Sequence, residues 1–155
     1  MKSITRNLIE YIGISEYLPT DIESFKQVYI KNDITLNENK ADIDSISKII
    51  AKAKILNTRI IKTPKGISLD GYKLTGYKLL VEGSIYYKIQ YINLGENQSL
   101  NLADVDTRFL AFVIMPENFI LGDNFSSSIF IEDINAEILS KRKISINTSL
   151  LIISE

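Results

Sequence analysis

Leu79-Leu80-Val81-Glu82-Gly83-Ser84-Ile85-Tyr86-Tyr87-Lys88-Ile89-Gln90-Tyr91 is the stretch that decides the fold. Its odd positions are mostly apolar, whereas Glu82, Ser84, Lys88 and Gln90 fall between them. Successive strand side chains point to opposite faces, so the alternation is that of a half-buried antiparallel strand. Similar alternation recurs on either side of it, and no helical pattern interrupts residues 76–153. The 28 isoleucines spread along the chain point the same way, because β-branched side chains fit a pleated surface. The fold class expected is all-β: an antiparallel β-sandwich with one or two short N-terminal helices. The 155 residues divide into an N-terminal arm, 1–24, and a single β domain, 25–155.

Turn chemistry marks the strand ends. Asp70-Gly71 is a hairpin signal, Thr63-Pro64-Lys65-Gly66 reads as a type I turn, and Pro116 closes the strand that begins near Leu102. Asn32-Asp33 reads as a turn between two short strands. Ile129 and Ile131 are odd-numbered but Ile134, Ala136 and Ile138 are even, so a bulge is expected near Glu132-Asp133. Leu8, Ile9 and Ile12 share a helical face, predicting a helix over residues 3–12 ended by Gly13. Asp42 is placed to cap a helical turn carrying Ile43 and Ile46. The core is expected to contain Val81, Ile85, Ile89, Phe112, Ile114, Ile129, Ile131 and Ile144.

The chain has neither cysteine nor histidine. Disulfides, thiolate nucleophiles, a Ser-His-Asp triad and ordinary zinc or iron–sulfur ligation are therefore excluded. Net charge is −1, with no basic field for nucleic acid or anionic lipid. No signal peptide is read at the N-terminus and no run is long enough for a membrane span, so synthesis in the cytoplasm without membrane insertion is expected.

Candidate chemistry is thin. Asp104 and Asp106 share a strand face, and Asp123 or Asp133 would have to join them to hold calcium; the spacing is not that of a calcium loop. Glu82 with Glu132 is the carboxylate pair a glycosidase would need. Lys141-Arg142-Lys143 reads as a solvated corner rather than a phosphate site. No cofactor is expected. Tyr72, Tyr77 and Tyr86 suit an interaction surface or a set of sugar platforms, since tyrosine offers large contact area at low entropic cost. Leu8, Ile9, Ile12 and Ile14 of the arm must be buried somewhere, either on a neighbouring subunit or on the chain's own sheet.

Asp42-Ile43, Thr58-Arg59-Ile60-Ile61, Leu74-Thr75-Gly76, the run Leu79 to Gly83 and Lys88-Ile89-Gln90-Tyr91-Ile92 follow one another in an order that resembles the SPOCS domain. Phe109 to Pro116, Ile131-Glu132-Asp133-Ile134 and Lys141-Arg142-Lys143-Ile144 continue the resemblance, which covers about residues 25–153. SPOCS domains occur in spore-coat and exosporium-associated proteins of endospore-forming bacteria. The chain departs from the family in reading Asn37-Glu38-Asn39-Lys40-Ala41-Asp42 where a proline-bearing segment is usual. It also lacks the second SPOCS copy or LysM module of several relatives, which points to a stand-alone building block. The resemblance implies a non-enzymatic structural protein of the spore coat or exosporium. Its partners would be other copies of itself, in a filament or lattice, or coat morphogenetic proteins. A carbohydrate-binding β-sandwich is the alternative.

Overall fold

The structure, a computed structural model, describes residues 2–155 as eight strands. They are β1 (Lys2–Arg6), β2 (Ile9–Ile14), β3 (Ser24–Thr35), β4 (Ile43–Ile67), β5 (Lys73–Asn93), β6 (Leu100–Ile114), β7 (Ser127–Ser140) and β8 (Lys143–Ser154). One sheet has the order β1-β2-β4-β5-β6 and the other β3-β8-β7. All pairings are antiparallel except β2 with β4, which is parallel and short, from Glu10↔Lys48 to Ile12↔Ile50.

The alternation of β5 holds as read. Leu79, Val81, Ile85, Tyr87, Ile89 and Tyr91 are all fully buried, and Gly83 lies in the same row. A Cβ on Gly83 would meet the ring of Phe109, its partner on β6, so the aromatic ring fills the place of the missing side chain. Ile49, Ile85 and Ile89 of the first sheet enter one cluster with Ile134, Ile144, Ile146 and Leu150 of the second. Burying each such side chain contributes about 1.5–3 kcal/mol. A second cluster, Leu79, Val81, Val113, Met115 and Ile152, is closed by Tyr77, Phe119 and Phe125. The bulge expected near Glu132-Asp133 is present as a register shift between Ile131 and Asp133, and it keeps Ile131 and Ile134 both buried.

Three core expectations fail. Phe112 is exposed and Ile114 half-buried, because the inward row of β6 is the odd one, with Ala103, Ala111 and Val113. Ile129 is half-buried, resting against both clusters.

No helix exists among the described residues, which corrects both helical expectations. Arg6 pairs with Ile9 across a two-residue turn in which Asn7 (φ 50°) and Leu8 (φ 67°) both have positive φ. That is the condition of a type I′ turn, whose twist suits a β-hairpin. The arm is therefore a hairpin. Gly13, expected to end a helix, lies inside β2 with φ 122°, and a Cβ there would stand 2.1 Å from the Ala51 carbonyl oxygen. Only glycine lets β2 come this close to β4. At Asp42 no helical turn forms; β4 begins at once. Asn32-Asp33 is likewise no turn, for the β3–β8 register runs unbroken from Ser24↔Ser154 to Thr35↔Lys143. Thr63-Pro64-Lys65-Gly66 is a bulge within β4, between Lys62 and Lys65. The Asp70-Gly71 turn is where it was expected, in the loop between β4 and β5.

At 17.6 kDa a globular chain would expose about 7,900 Å²; this one exposes 9437 Å². β4 and β5, at 25 and 21 residues, are much longer than the 12-residue β3 and β8. At their far end Ile67 and Leu69 are 80% or more exposed, while Tyr72 in the loop reaches Lys26 of β3.

Candidate functional site

β3 pairs only with β8, and β6 only with β5, so each has one open edge. The two edges run close together along one side of the sandwich, where Asn32 donates to the Thr107 hydroxyl. Towards the β4–β5 tip they part, leaving a groove of about 590 Å³. Its walls include Phe25 and Tyr29 from the outward, odd row of β3, Leu110 and Phe112 from the outward, even row of β6, and Tyr72 from the hairpin loop. Two lysines sit over the rings. Lys26 Nζ is 4.5 Å from the Tyr72 ring centre, and Lys78 Nζ is 3.9 Å from that of Phe112. Such cation–π contacts hold the aromatic faces in place while the ammonium groups stay wet. The loop carrying Tyr72 is closed by the Ser68 N–H donating to the Tyr72 carbonyl at 2.8 Å.

The three tyrosines singled out in the sequence do not share a surface. Tyr72 lines the groove. Tyr77 packs edge-on against Phe119, with ring centres 5.6 Å apart, and closes the second core cluster. Tyr86 stands on the outer face of the first sheet and donates to Asp104 Oδ1 at 2.9 Å. That hydrogen bond raises the Tyr86 pKa, with small contributions from desolvation and from the Asp104 charge. Phe25, Tyr29, Leu110 and Phe112 were missed as surface residues, although the alternation of β3 already placed Phe25 and Tyr29 on one face.

The arm residues separate as well. Ile9 and Ile14 are buried in the chain's own core, Ile12 is half-buried, and Leu8 is exposed at the tip of the β1–β2 hairpin. Arg6 ties the hairpin down, with Nη2 2.6 Å from Asp133 Oδ1 and a further bond to the Ile134 carbonyl. This pairing raises the guanidinium pKa further. The Tyr11 hydroxyl accepts from the Ala136 N–H at 2.9 Å. The arm, apart from Met1 outside the described residues, thus lies on its own sheet.

The carboxylate candidates are dispersed. Asp133 is taken by Arg6, Glu82 faces Arg108 on the outer face of the first sheet, and Glu132 accepts from Gln27 Nε2 at 3.1 Å on the second sheet. Glu82 and Glu132 therefore do not face a common cleft. Among the described residues no group of three or more acidic or histidine side chains is placed to hold a metal ion.

The basic corner is only partly solvated. Arg142 turns inward, Nη1 donating to the Lys40 carbonyl at 2.5 Å and to Asp42 Oδ1 at 3.1 Å, Nη2 to the Asn37 carbonyl at 2.6 Å. It fastens the loop before β4 to the β7–β8 turn, which corrects the reading of all three residues as a solvated corner.

The other side of the first sheet is also open. Beyond Ile50, β4 pairs with β5 on one side and with no strand on the other, although Gly13 of β2 still stands against Ala51. Lys52, Lys54, Arg59, Lys62 and Lys65 are exposed along this stretch, and no acidic residue lies between Asp44 and Asp70. Pro64 is tolerated here because an edge strand can spare one N–H.

The family model of the SipL SPOCS domain matches residues 42–139, well over half of the chain. The chain belongs to the SPOCS-domain family. The matched span runs from the start of β4 almost to the end of β7, so the long SPOCS hairpin and the β6 wall of the groove both lie within it. The β1–β2 arm and β3, which forms the facing wall, lie outside it. The family connects the chain with sporulation. No curated protein and no solved structure matches it. No helix of the described residues is long and apolar enough to cross a membrane.

Proposed function

We propose that the chain is a non-enzymatic structural protein of the spore envelope, coat or exosporium, which assembles through its sheet edges with copies of itself or with a coat scaffold. The observation that carries the reading is a SPOCS domain whose longer sheet has an unpaired edge along β6 on one side and along β4 beyond Ile50 on the other. An edge strand presents unpaired backbone N–H and C=O groups, a ready template for another strand. Two such edges on one sheet suit a building block, because contacts at opposite sides need not close on themselves. The arm takes a lesser part than its apolar residues suggested, since Ile9 and Ile14 are already covered.

The test has two arms. A fluorescent fusion expressed in a sporulating host is expected to move from the mother-cell cytoplasm onto the forespore surface; a signal that stays diffuse through sporulation overturns the envelope reading. Purified protein, imaged by negative-stain electron microscopy and sized by sedimentation velocity, is expected to form extended particles. A monomer at every concentration overturns self-assembly.

The carbohydrate-binding reading is supported by one observation, the aromatic groove around Phe25, Tyr29 and Tyr72. Saturable binding of spore polysaccharide, lost in Tyr72→Ala, would favour it over the structural role. Tyr77 and Tyr86 stand away from this groove.

A further inference from the structure

We infer that the chain polymerises head to tail by laying β6 of one copy, in parallel, along the open edge of β4 in the next. This deepens the self-assembly reading and rests on it. The two edges lie on opposite sides of one sheet, with β5 between them. β4 and β6 each run antiparallel to β5, so they are parallel to one another, and a copy displaced across the sheet brings β6 beside β4 in the same direction. The displacement also keeps the outer face outermost. Lys52, Tyr86 and Asp106 stand on one rung of the sheet, and Ile50, Lys88 and Asp104 on the rung before it.

Charge chooses this pairing over the alternatives. Two β4 edges facing each other bring only basic charges together in every register, and two β6 edges either oppose their aspartates or set Asp106 against Arg108, which Glu82 already engages. Like charges directly opposite are destabilising in a sheet, and opposite ones favourable. With a shift of one rung, Asp106 meets Lys54 of the next copy, Arg108 meets Asn57, Leu110 meets the stem of Arg59, and Phe112 meets Ile61. Asp104 likewise meets Lys52. No like charges face each other in this register. Lys52, Lys54 and Asp106 are exposed, and among the described residues none of them has an ion pair of its own. The added strand would also run along the groove beside Leu110 and Phe112, covering part of the exposed apolar wall. Leu56, the extra residue in the register shift between Ile55 and Asn57, twists β4 where the charged and apolar parts of the contact meet.

The experiment is a charge swap. Asp104→Lys/Asp106→Lys makes both edges basic, and Lys52→Asp/Lys54→Asp makes both acidic. Each variant alone is expected to sediment as a monomer at concentrations where the wild type assembles. Mixed in equal amounts they are expected to assemble again, since each acidic edge then meets a basic one. Circular dichroism shows whether each variant keeps its sheet. Asp106→Lys alone, which spares the Tyr86–Asp104 hydrogen bond, serves as the milder variant and is expected to reduce assembly at least tenfold in threshold concentration. Wild-type assembly that the folded variants leave undiminished, or a mixture that stays monomeric, overturns the edge pairing while leaving self-assembly intact. A wild type that never assembles overturns both.

Discussion

The base of the β4–β5 hairpin and its tip are built from one continuous pair of strands, yet they meet opposite surroundings. At the base, residues 43–55 and 83–93, β4 has β2 at its far side for three residues and the second sheet beneath it, and Ile49, Ile85 and Ile89 are wholly buried. Towards the tip, residues 57–67 and 73–81, Leu79 and Val81 of β5 still reach the second cluster, but β4 has β5 alone beside it, carries only basic charge, and runs out through exposed Ile67 to exposed Leu69 in the loop. Length makes the difference. A strand of 25 residues spans about 80 Å at 3.3 Å per residue, about twice the span of the 12-residue β3 and β8. Whatever cannot be covered within the chain is left for contact outside it.

Substitution should break this contrast first at the base. Ile89→Ala removes a fully buried side chain from the main cluster and is expected to cost about 2–5 kcal/mol in urea unfolding. A loss below about 1 kcal/mol would mean that the base is packed no better than the tip. Arg142→Ala, which unties the loop leading into β4, comes next at about 1.5–3 kcal/mol, since it leaves carbonyls and Asp42 without a charged donor. If the base holds without it, stability will be unchanged.

Alkali tests the base in another way. Tyr87 and Tyr91 both have raised pKa values, chiefly through desolvation, against an ordinary value of 10.0. A raised phenol pKa means the folded state holds its proton more tightly than the unfolded one. Their contribution is therefore complete below about pH 10 and is lost as pH climbs toward the folded values. Chemical unfolding across that range should show falling stability, with a smaller decline in Tyr87→Phe; a flat profile would contradict the burial. The smallest effect belongs to the tip. Ile67→Ala should shift monomer stability by no more than about 0.5 kcal/mol, and a larger loss would show that the tip packs on something within the chain.

The sheet was legible wherever period two ran undisturbed, as in β5 and β8. It was misread where bulges reset the phase. β4 has register shifts between Ile43 and Ser45 and again between Ile46 and Lys48. Each adds a residue, so the buried positions fall at Ile43, Ile46 and Ile49, three apart, which is the spacing of a helix. The arm was misread because Asn7-Leu8 is an unusual choice for a turn that needs positive φ twice; leucine seldom adopts it. The Glu132-Asp133 bulge was found, since there the phase change lay between two clear runs. Tyr72 could be singled out from sequence, but the groove could not. Its walls come from β3 and β6, some 85 residues apart, and only the closing of the two sheets sets them side by side.

The pairing of Ser24↔Ser154 through Thr35↔Lys143 has a temporal meaning. On the ribosome β3 is made before the whole of the β4–β5–β6 meander, but its only partner, β8, follows after it. The meander β4–β5–β6 has all its partners in sequence and can form while synthesis continues; the second sheet must wait for β8, the shared partner of β3 and β7. Domains assembled from such distant pairings close slowly. A nascent SPOCS chain therefore keeps its inner apolar face uncovered until β8 is released, and one truncated before β8 would never seat β3 at all. The sandwich closes only once β8 can pair with β3.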